Sequence, residues 1–462
     1  TNTVQLRIGV DLDNTIISYD KAFQNGAIVS GLVDKDCNLN KKALREFIRT
    51  KPDGEFEWQK LQGYVYGAGI SEAVLFPGVY RFLWRCRERK IEIEVVSHKT
   101  EYGHFDSQKI SLRDSATNFL KNHGLLDNKN PLIKKVTYKG SKQEKLDFIK
   151  HNNYEFFIDD LEEIIFSEEL ESQKGILFSN EEPFIKNSNK AIAKSWENIS
   201  QNILGAWSQS EVKSMVNLVS NNIEVNNVEK LEGRGNSAIY KVHLSDTNKA
   251  ALKIYPEISY HNRLKSEFMS TESFKELNIS NVQRPIAFDS NLGIASYEWI
   301  EGEKVSNFGK KEIKDATSFL STLHQNSKMK QFENFPMAAD ACPRGIDIEL
   351  QIERRLHQFD ELSTKYSELD QFLINDFKPI SKEIISWSKT SWPSNPGYKV
   401  SIEKNKLILS PSDFGFHNSL RSQNENLIFH DFEYFGWDDP VKLICDFSHH
   451  AAMDLSEELE QI

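Results

Sequence analysis

Two aspartates two positions apart, Asp11 and Asp13, follow the short apolar run Ile8-Gly9-Val10 in the segment Asp11-Leu12-Asp13-Asn14-Thr15. An apolar run of that kind predicts a buried strand, so both carboxylates stand at the carboxyl end of a sheet, where open α/β sheets hold their ligands. One of the pair can attack phosphorus as a nucleophile while the other gives a proton to the leaving oxygen and later takes one from water. Far downstream, Asp413 precedes Asn418 by five residues, and Asp431 follows a second apolar run, Leu427-Ile428-Phe429. A loop aspartate can accept the proton of an attacking hydroxyl, while an asparagine and an aspartate hold a divalent cation on nucleotide phosphates. The first pattern suits removal of phosphate through a covalent intermediate. The second suits addition of phosphate from a nucleotide.

The elements that must position the first set alternate between strand and helix over residues 5–180. Strands are predicted at 6–10, 91–96, 155–158 and 175–178, which reads as a doubly wound parallel sheet covered by helices. Between the first two strands lies an insertion of about 80 residues, too long for a simple crossover. It includes the turn-rich, aromatic Gly63-Tyr64-Val65-Tyr66-Gly67-Ala68-Gly69 and predicts a cap over the site, around 18–88. Tyr64, Tyr66 and His98 are candidate substrate contacts there. Ser97, after Val95-Val96, can hydrogen-bond a phosphoryl oxygen, and Asp159-Asp160, after Phe156-Phe157-Ile158, completes an all-oxygen donor set that favours Mg²⁺. A lysine between these strands would neutralise charge on the phosphoryl group in flight.

This ordered set resembles the haloacid dehalogenase-like phosphatase superfamily over residues 5–185. The resemblance implies Asp11 as nucleophile, Asp13 as acid/base with its backbone carbonyl on the metal, Ser97 as the phosphate-binding hydroxyl, and Asp159 and Asp160 as the acidic pair. Its lysine is open among Lys139, Lys142 and Lys145, and Lys142, at the predicted start of a helix, is preferred.

From residue 189 to 226 the pattern is helical and polar, with Trp196 and Trp207 as anchors, and reads as a linker after a first domain at 1–188. A cluster of asparagines at 221–227 marks the boundary to a second domain, 227–462. Its small lobe, 227–300, predicts an antiparallel sheet with one helix, and 301–462 a larger helical lobe. The turn Gly233-Arg234-Gly235-Asn236-Ser237 lets backbone amides come close to nucleotide phosphates. No Gly-Lys-Ser/Thr follows, so it is not a P-loop. Lys253 in Ala250-Ala251-Leu252-Lys253-Ile254 can meet the phosphates, and Glu267, fourteen residues on in a helical stretch, can hold it. Ser296-Tyr297-Glu298-Trp299-Ile300-Glu301-Gly302 predicts a hinge between lobes whose backbone would meet an adenine edge, with Glu298 among the candidate contacts.

These elements together resemble the aminoglycoside phosphotransferase and choline kinase family from residue 228 onward, and predict an α+β, bilobal, protein-kinase-like domain. The resemblance implies Asp413 as catalytic base, Asn418 and Asp431 as Mg²⁺ ligands, and Gly233, Gly235, Ser237, Lys253, Glu267 and Glu298 as nucleotide contacts, with ATP or GTP as donor. Pro411-Ser412 stands where the family has His-Gly, and Asp439-Pro440 with Asp446 only loosely matches its following structural motif. The chain stops 31 residues after Asp431, where relatives carry further helices around the acceptor, and it starts at Thr1 without Met, which reads as trimming.

Composition limits the partners. With 57 basic and 68 acidic residues the net charge is −11, which opposes binding to nucleic acid or to an anionic membrane. Cys37, Cys86, Cys342 and Cys445 lack metal-ligand spacing and predict free thiols in a cytoplasmic protein, since no apolar stretch reaches the ~20 residues of a span. His449-His450 and the lysine cluster at 310–314 read as packing and solvated surface. The expectation is a bifunctional phosphatase and small-molecule kinase acting on hydroxyl metabolites such as sugars or amino alcohols, in a setting such as bacterial cell-surface glycan or activated-sugar biosynthesis. The alternatives are a kinase with a phosphometabolite-sensing domain and an antibiotic-modifying phosphotransferase.

Overall fold

The structure, a computed structural model, describes residues 6–127, 129–181, 183, 190–220, 224–232, 237–244, 248–453 and 455–456. The chain divides into two compact units, Thr1–Ser214 and Met215–Ile462.

In the first unit six parallel strands form one sheet, in the order Lys135–Lys139, Glu92–His98, Arg7–Val10, Phe156–Asp159, Gly175–Phe178, Lys190–Ala193. Ile8, Val10, Val95, Val96, Phe157, Ile158, Ile176 and Leu177 are all buried, as expected of strands covered on both faces. Gly9 is needed at the centre, because a Cβ there would lie 2.6 Å from the Phe157 ring. Along the chain the sheet grows outward from the first strand to one side, then returns to grow to the other. That reversal opens a crevice at the carboxyl ends of Arg7–Val10 and Phe156–Asp159, which is where doubly wound sheets take ligands.

The insertion between the first two strands of this sheet is helical: Asp20–Val29, Lys41–Arg49 and Gly54–Tyr66, closed by the short antiparallel pair Ile17–Ser18 and Val74–Leu75. Asn40 caps the second helix by accepting from Ala43 N at 2.9 Å, and Leu44 and Ile48 face inward. Phe23 stacks on Trp58 with ring centroids 4.9 Å apart. The turn-rich stretch Gly63–Gly69 is helical in its first half: Gly63 through Tyr66 finish a helix that ends at Gly67, and Gly63 is small because the backbone of Gly103 and His104 passes against it. A turn residue by composition is here a packing residue.

The linker expected at 189–226 is also corrected. Its first part supplies the sixth strand, Lys190–Ala193, and the helix Trp196–Leu204. The Trp196 side chain is buried, and its Nε1 donates to the Thr15 carbonyl at 2.9 Å. The unit boundary falls inside the next helix, Gln209–Val219. Glu211 on that helix accepts from Arg85 Nε at 2.9 Å and Arg89 Nη2 at 2.8 Å, and Arg85 also lies over the Trp207 ring at 4.0 Å. Polar composition concealed these contacts, because the arginines that satisfy Glu211 come from a helix more than a hundred residues earlier.

In the second unit five antiparallel strands run Pro285–Asp289, Ile294–Glu298, Lys249–Ile254, Ala238–His243, Asn227–Lys230, with the helix Arg263–Glu276 packed on them. The remainder is mainly helical, with Lys310–Asn326, Gly345–Ser363, Lys378–Ser391 and Pro440–Ser448. A phenylalanine core that includes Phe274, Phe319, Phe332, Phe414, Phe429 and Phe432 holds both parts together. Two small sheets, Gly302–Lys304 with Ser419–Ser422 and Leu427–Phe429, and Ile408–Ser410 with Gly436–Asp438, flank the loops that carry Asp413 and Asp431. Among the described residues no helix is long and apolar enough to cross a membrane, and the four cysteines are free thiols.

The Glu211 carboxyl is held down at about 2, against an ordinary value of 4.5; its hydrogen bonds from Arg89, Arg85 and the Ser208 backbone outweigh a burial that acts to raise it. A depressed carboxyl contributes stability above its unfolded value and loses it as pH falls toward the folded value. Glu211→Gln should therefore destabilise the first unit by about 3 kcal/mol at neutral pH, lowering its melting transition by about 6–12 °C. The gap to wild type should shrink as pH falls from 4.5 toward 2. Equal melting temperatures at pH 7 would show that the pair does not hold this segment in place.

Candidate functional site

In the first unit the sheet brings Asp11, Asp159 and Asp160 together at the crevice, with carboxylate oxygens within 4.8 Å of one another. The strand register sets this spacing, since Asp11 N donates to Ile158 O at 2.8 Å and so ties the end of one strand to its neighbour. Lys145 Nζ lies 2.6 Å from both Asp11 Oδ1 and Asp159 Oδ2 and is 2% exposed. Burial pushes the Asp11 carboxyl up to about 7, with Asp159 and Asp13 adding to the rise and Lys145 opposing it. Asp160 rises to about 8, chiefly by burial and then by Asp159. Three carboxylates crowded this closely are the donor set a hard divalent cation would satisfy, so these oxygens fit Mg²⁺.

Ser97 stands at the end of its strand, and its buried Oγ has no hydrogen-bond partner among the described residues. An orphan hydroxyl there fits a phosphoryl oxygen. Thr15 lies beside the acids, with Oγ1 at 3.4 Å from Asp160 Oδ1 and 3.5 Å from Asp11 Oδ2. Asp13 is engaged on both oxygens: Tyr19 OH donates to Oδ1 at 2.6 Å, and Lys99 Nζ lies 2.7 Å from Oδ2.

The expectation for Lys142 is corrected. It opens the helix Lys142–Asn152, is 42% exposed and pairs with Glu163 at 2.9 Å. Lys145, one turn further on, is the lysine that enters the acid cluster. Both lie on the same helix, and sequence spacing alone did not separate them. Tyr64 and His98 are exposed, whereas Tyr66 reaches Lys41. Lys99 and Lys41 are absent from the sequence-based set. Lys99, two residues after Ser97 on the same strand end, had a signal in its spacing; Lys41, inside the insertion, had none.

In the second unit Lys253 Nζ lies 2.7 Å from Glu267 Oε2, 2.5 Å from Asp431 Oδ1 and 3.2 Å from Glu433 Oε2. Burial acts to discharge this ammonium, but Asp431, Glu267 and Glu433 together raise its pKa well above the ordinary lysine value. Tyr255 OH donates to Glu267 Oε2 at 2.6 Å, and Arg263 Nη1 pairs with Glu433 Oε1 at 3.0 Å. Ser237 Oγ donates to Glu433 Oε2 at 3.0 Å, while Gly233 and Gly235 lie outside the described residues. At Glu298 the side chain is exposed, the N–H donates to Arg284 O and the carbonyl accepts from Gln283 Nε2, so that backbone edge is already engaged. Neighbouring carbonyls in an antiparallel sheet compete for the same edge that the sequence reading left free.

Asn418 Nδ2 donates to the Asp413 carbonyl at 2.9 Å, and the His430 N–H donates to the Asn418 carbonyl at 3.0 Å, which draws Asn418 and Asp431 to the same end of the site. The Asn418 amide oxygen and the Asp431 carboxylate are hard oxygen donors and fit Mg²⁺. Ser412 and Asp431 both have left-handed backbone, φ +68°, a strain that clusters at functional loops. Asp413 Oδ1 receives two imidazoles, His417 Nε2 at 2.9 Å and His450 Nε2 at 3.1 Å, whose rings stack 4.2 Å apart. The Ala452 N–H donates to His450 Nδ1, so a neutral His450 carries its proton on Nε2 and donates it to Asp413. His450, read as packing from its sequence, is corrected to a partner of Asp413; no local pattern could bring residue 450 to residue 413.

No family model matches this sequence, and no curated protein matches it. Solved structures resemble parts of it. The choline kinase LicA from Streptococcus pneumoniae is 16% identical, over 54% of this chain and 78% of that one, with a TM-score of 0.37. A spectinomycin phosphotransferase solved with ADP and spectinomycin is 15% identical, over 52% of this chain and 72% of its own, with a TM-score of 0.38. A haloacid dehalogenase-like family hydrolase from Streptococcus pneumoniae is 14% identical, over 43% of this chain and 98% of its own, with a TM-score of 0.29. Phosphotransferases and hydrolases are thus both among the structures similar to parts of the chain.

The Asp413 carboxyl sits below its ordinary range; burial acts to raise it, but the His417 hydrogen bond and the charges of His417 and His450 outweigh burial. His417→Phe should therefore shift the Asp413 carboxyl titration upward, read by carboxyl-carbon NMR on aspartate-labelled protein. An unmoved midpoint would remove the imidazole from the account of Asp413.

Proposed function

We propose that this chain carries two phosphoryl-transfer sites: a Mg²⁺-dependent phosphomonoesterase in the first unit and a nucleotide-dependent small-molecule kinase in the second. One observation carries the reading in each unit: a buried lysine bridges carboxylates that come from distant segments, Lys145 between Asp11 and Asp159, and Lys253 between Glu267 and Asp431.

In the first unit Asp11 is the nucleophile, its carboxylate oriented by Lys145. Attack on phosphorus forms an aspartyl phosphate as the leaving oxygen departs with a proton from Asp13. Asp13, held by Tyr19 and Lys99, then takes a proton from water that attacks phosphorus and frees Asp11. Ser97 Oγ donates to a phosphoryl oxygen. Asp11, the Asp13 carbonyl, Asp159 and Asp160 would hold Mg²⁺, which supplies charge neutralisation at the phosphoryl group.

In the second unit Asp413 accepts the proton of an acceptor hydroxyl whose oxygen attacks the terminal phosphorus of ATP or GTP, and the diphosphate leaves. With its Oδ1 taken by two imidazoles, Asp413 has Oδ2 for that proton. Lys253 moves from Asp431 to the nucleotide phosphates while Glu267 keeps it in place, and Ser237, whose Oγ donates to Glu433 beside Lys253, contributes a hydroxyl to the same phosphates. Asn418 and Asp431 would hold Mg²⁺ on the phosphates. Acceptors among sugars, amino alcohols and aminoglycoside-like compounds fit the hydroxyl chemistry; choline and spectinomycin, named with the neighbouring structures, are natural first probes. Opposed activities on one phosphate would waste nucleotide, so the two sites serve different substrates, and a biosynthetic route to activated sugars is a setting that needs both.

Asp11→Asn and Lys145→Met should each lower p-nitrophenyl phosphate turnover by more than about a thousandfold. Lys142→Met, which removes only a surface ion pair, should stay within about twofold. Turnover that survives Asp11→Asn would end the hydrolase assignment. In the kinase site, Asp413→Ala should cut phosphate transfer to an acceptor about 100- to 10,000-fold while nucleotide binding persists. Asp431→Ala should weaken Mg²⁺-dependent nucleotide binding about tenfold or more, by calorimetry. Full transfer activity in Asp413→Ala would refute the base.

A further inference from the structure

Two lysines beside Asp13 have no task in the chemistry above that would require both. Lys99 is 3% exposed and pairs with Asp13 Oδ2 at 2.7 Å, and its Nζ lies 4.6 Å from the Tyr66 ring centroid. Lys41 is the first residue of the helix Lys41–Arg49 in the insertion, and its Nζ donates to Tyr66 OH at 2.8 Å and to Asn14 Oδ1 at 3.4 Å. That ammonium also lies over the rings of Phe23 and Tyr66, at 5.2 and 5.5 Å. Among the described residues no carboxylate lies within 4 Å of Lys41 Nζ, and two of its three N–H donors have hydrogen-bond partners.

Fold stability does not account for this placement. A cation at a helix N-terminus opposes the helix dipole, and an ammonium enclosed with no carboxylate within 4 Å among the described residues loses solvation that its two hydrogen bonds, the two rings and the more distant charges of Asp13, Asp160 and Asp20 repay only in part. The helix does not need the side chain either, since Asn40 caps it and Asp20 Oδ1 accepts from the Lys41 backbone at 3.0 Å. Lys99 by itself neutralises Asp13. The surplus cation is Lys41, and it faces the same aspartate's side of the crevice. The phosphoryl group in flight is served by Lys145 and Ser97, whereas Asp13 serves the leaving group. Tyr19, 1% exposed, and Tyr66, edge-on at 4.7 Å, wall this side closely.

We propose that Lys41 and Lys99 form a second anion subsite beside Asp13, so that the first unit takes a short phosphomonoester whose leaving group carries a further anionic group, a carboxylate or a second phosphate. This rests on the phosphatase reading for the direction of the leaving group. Binding needs no new chemistry: the added anion accepts from Lys41, whose remaining N–H is available to it, and draws Lys99 from Asp13, freeing Asp13 Oδ2 to hold the proton it delivers.

The test compares 3-phosphoglycerate and glycerol 1,3-bisphosphate with glycerol 1-phosphate, which has the same carbon skeleton without the extra charge, in the full chain with Mg²⁺. The ratio of kcat/KM, charged over uncharged, should be about tenfold or more in wild type for at least one of the two, and which one identifies the anion. The ratio should fall toward one in Lys41→Met, recover in Lys41→Arg, and drop in Tyr66→Phe, which loses the hydroxyl that orients Lys41. Calorimetric binding of the same compounds to Asp11→Asn protein with Mg²⁺ gives a readout that needs no turnover. If no ester is hydrolysed yet this binding discriminates by Lys41, the subsite stands and the hydrolase reading falls. If wild type hydrolyses and binds all three alike, or discrimination is unchanged in a folded Lys41→Met or Tyr66→Phe, the subsite is refuted and the hydrolase reading stands.

Discussion

Buried carboxylates gathered close together repel one another, and both units are organised around that repulsion. In the first unit Asp11 and Asp159, at the ends of adjacent strands, share one ammonium from Lys145. In the second, Glu267, Asp431 and Glu433 share Lys253, with Arg263 taking part of the load at Glu433. A buried charge is tolerated only when its partners come close with good geometry. Each lysine therefore constrains where its helix or strand sits, because a shift of one turn would strand two or more carboxylates.

The way each fold meets that constraint differs. The parallel sheet uses topology: reversal of strand order leaves the carboxyl ends of two neighbouring strands facing an open crevice, and the acids occupy both. The antiparallel unit uses loops pinned by short sheets, with Asp413 after Ile408–Ser410 and Asp431 after Leu427–Phe429. The phenylalanine core beneath these loops supplies the rigidity that a loop alone lacks. Left-handed backbone at Ser412 and Asp431 is held there by the surrounding pairings.

The surroundings of Asp413 come from outside its own loop. Pro411-Ser412 offers no imidazole before the aspartate, yet His417 and His450 bring two from other directions onto a single oxygen. Ser412 contributes through its hydroxyl, which donates to Ala339 O at 3.0 Å and ties the loop to the rest of the lobe. At Asp13 the arrangement differs: Tyr19 and Lys99 occupy both oxygens, and Lys41 adds a cation with no carboxylate within 4 Å among the described residues. That asymmetry separates the two crevices chemically. In one, two imidazoles meet a single aspartate oxygen; in the other, an aspartate has both oxygens engaged and a second lysine stands nearby.

Much of this was legible in the chain alone. Short-range order carries the information: an apolar run followed by acids at positions 11 and 13, a strand ending at Ser97, paired acids at 159 and 160, and the spacing of Asp413 and Asn418 are all contained within a few residues. Alternating buried strands and helices likewise announced a doubly wound sheet, since burial on both faces forces apolar runs. What local pattern could not supply was partnership across distance. Lys145 rather than Lys142, the docking of 190–214 onto the first unit, the approach of His450 to Asp413, and the entry of Lys41 from the insertion all depend on contacts between residues 25 to 134 positions apart or more. The sequence by itself determined which residue types could carry the proposed chemistry and at which strand ends several of them stood. Only the tertiary structure decided which charges meet, because a lysine's partner is set by the packing of its whole helix and not by its neighbours in the chain.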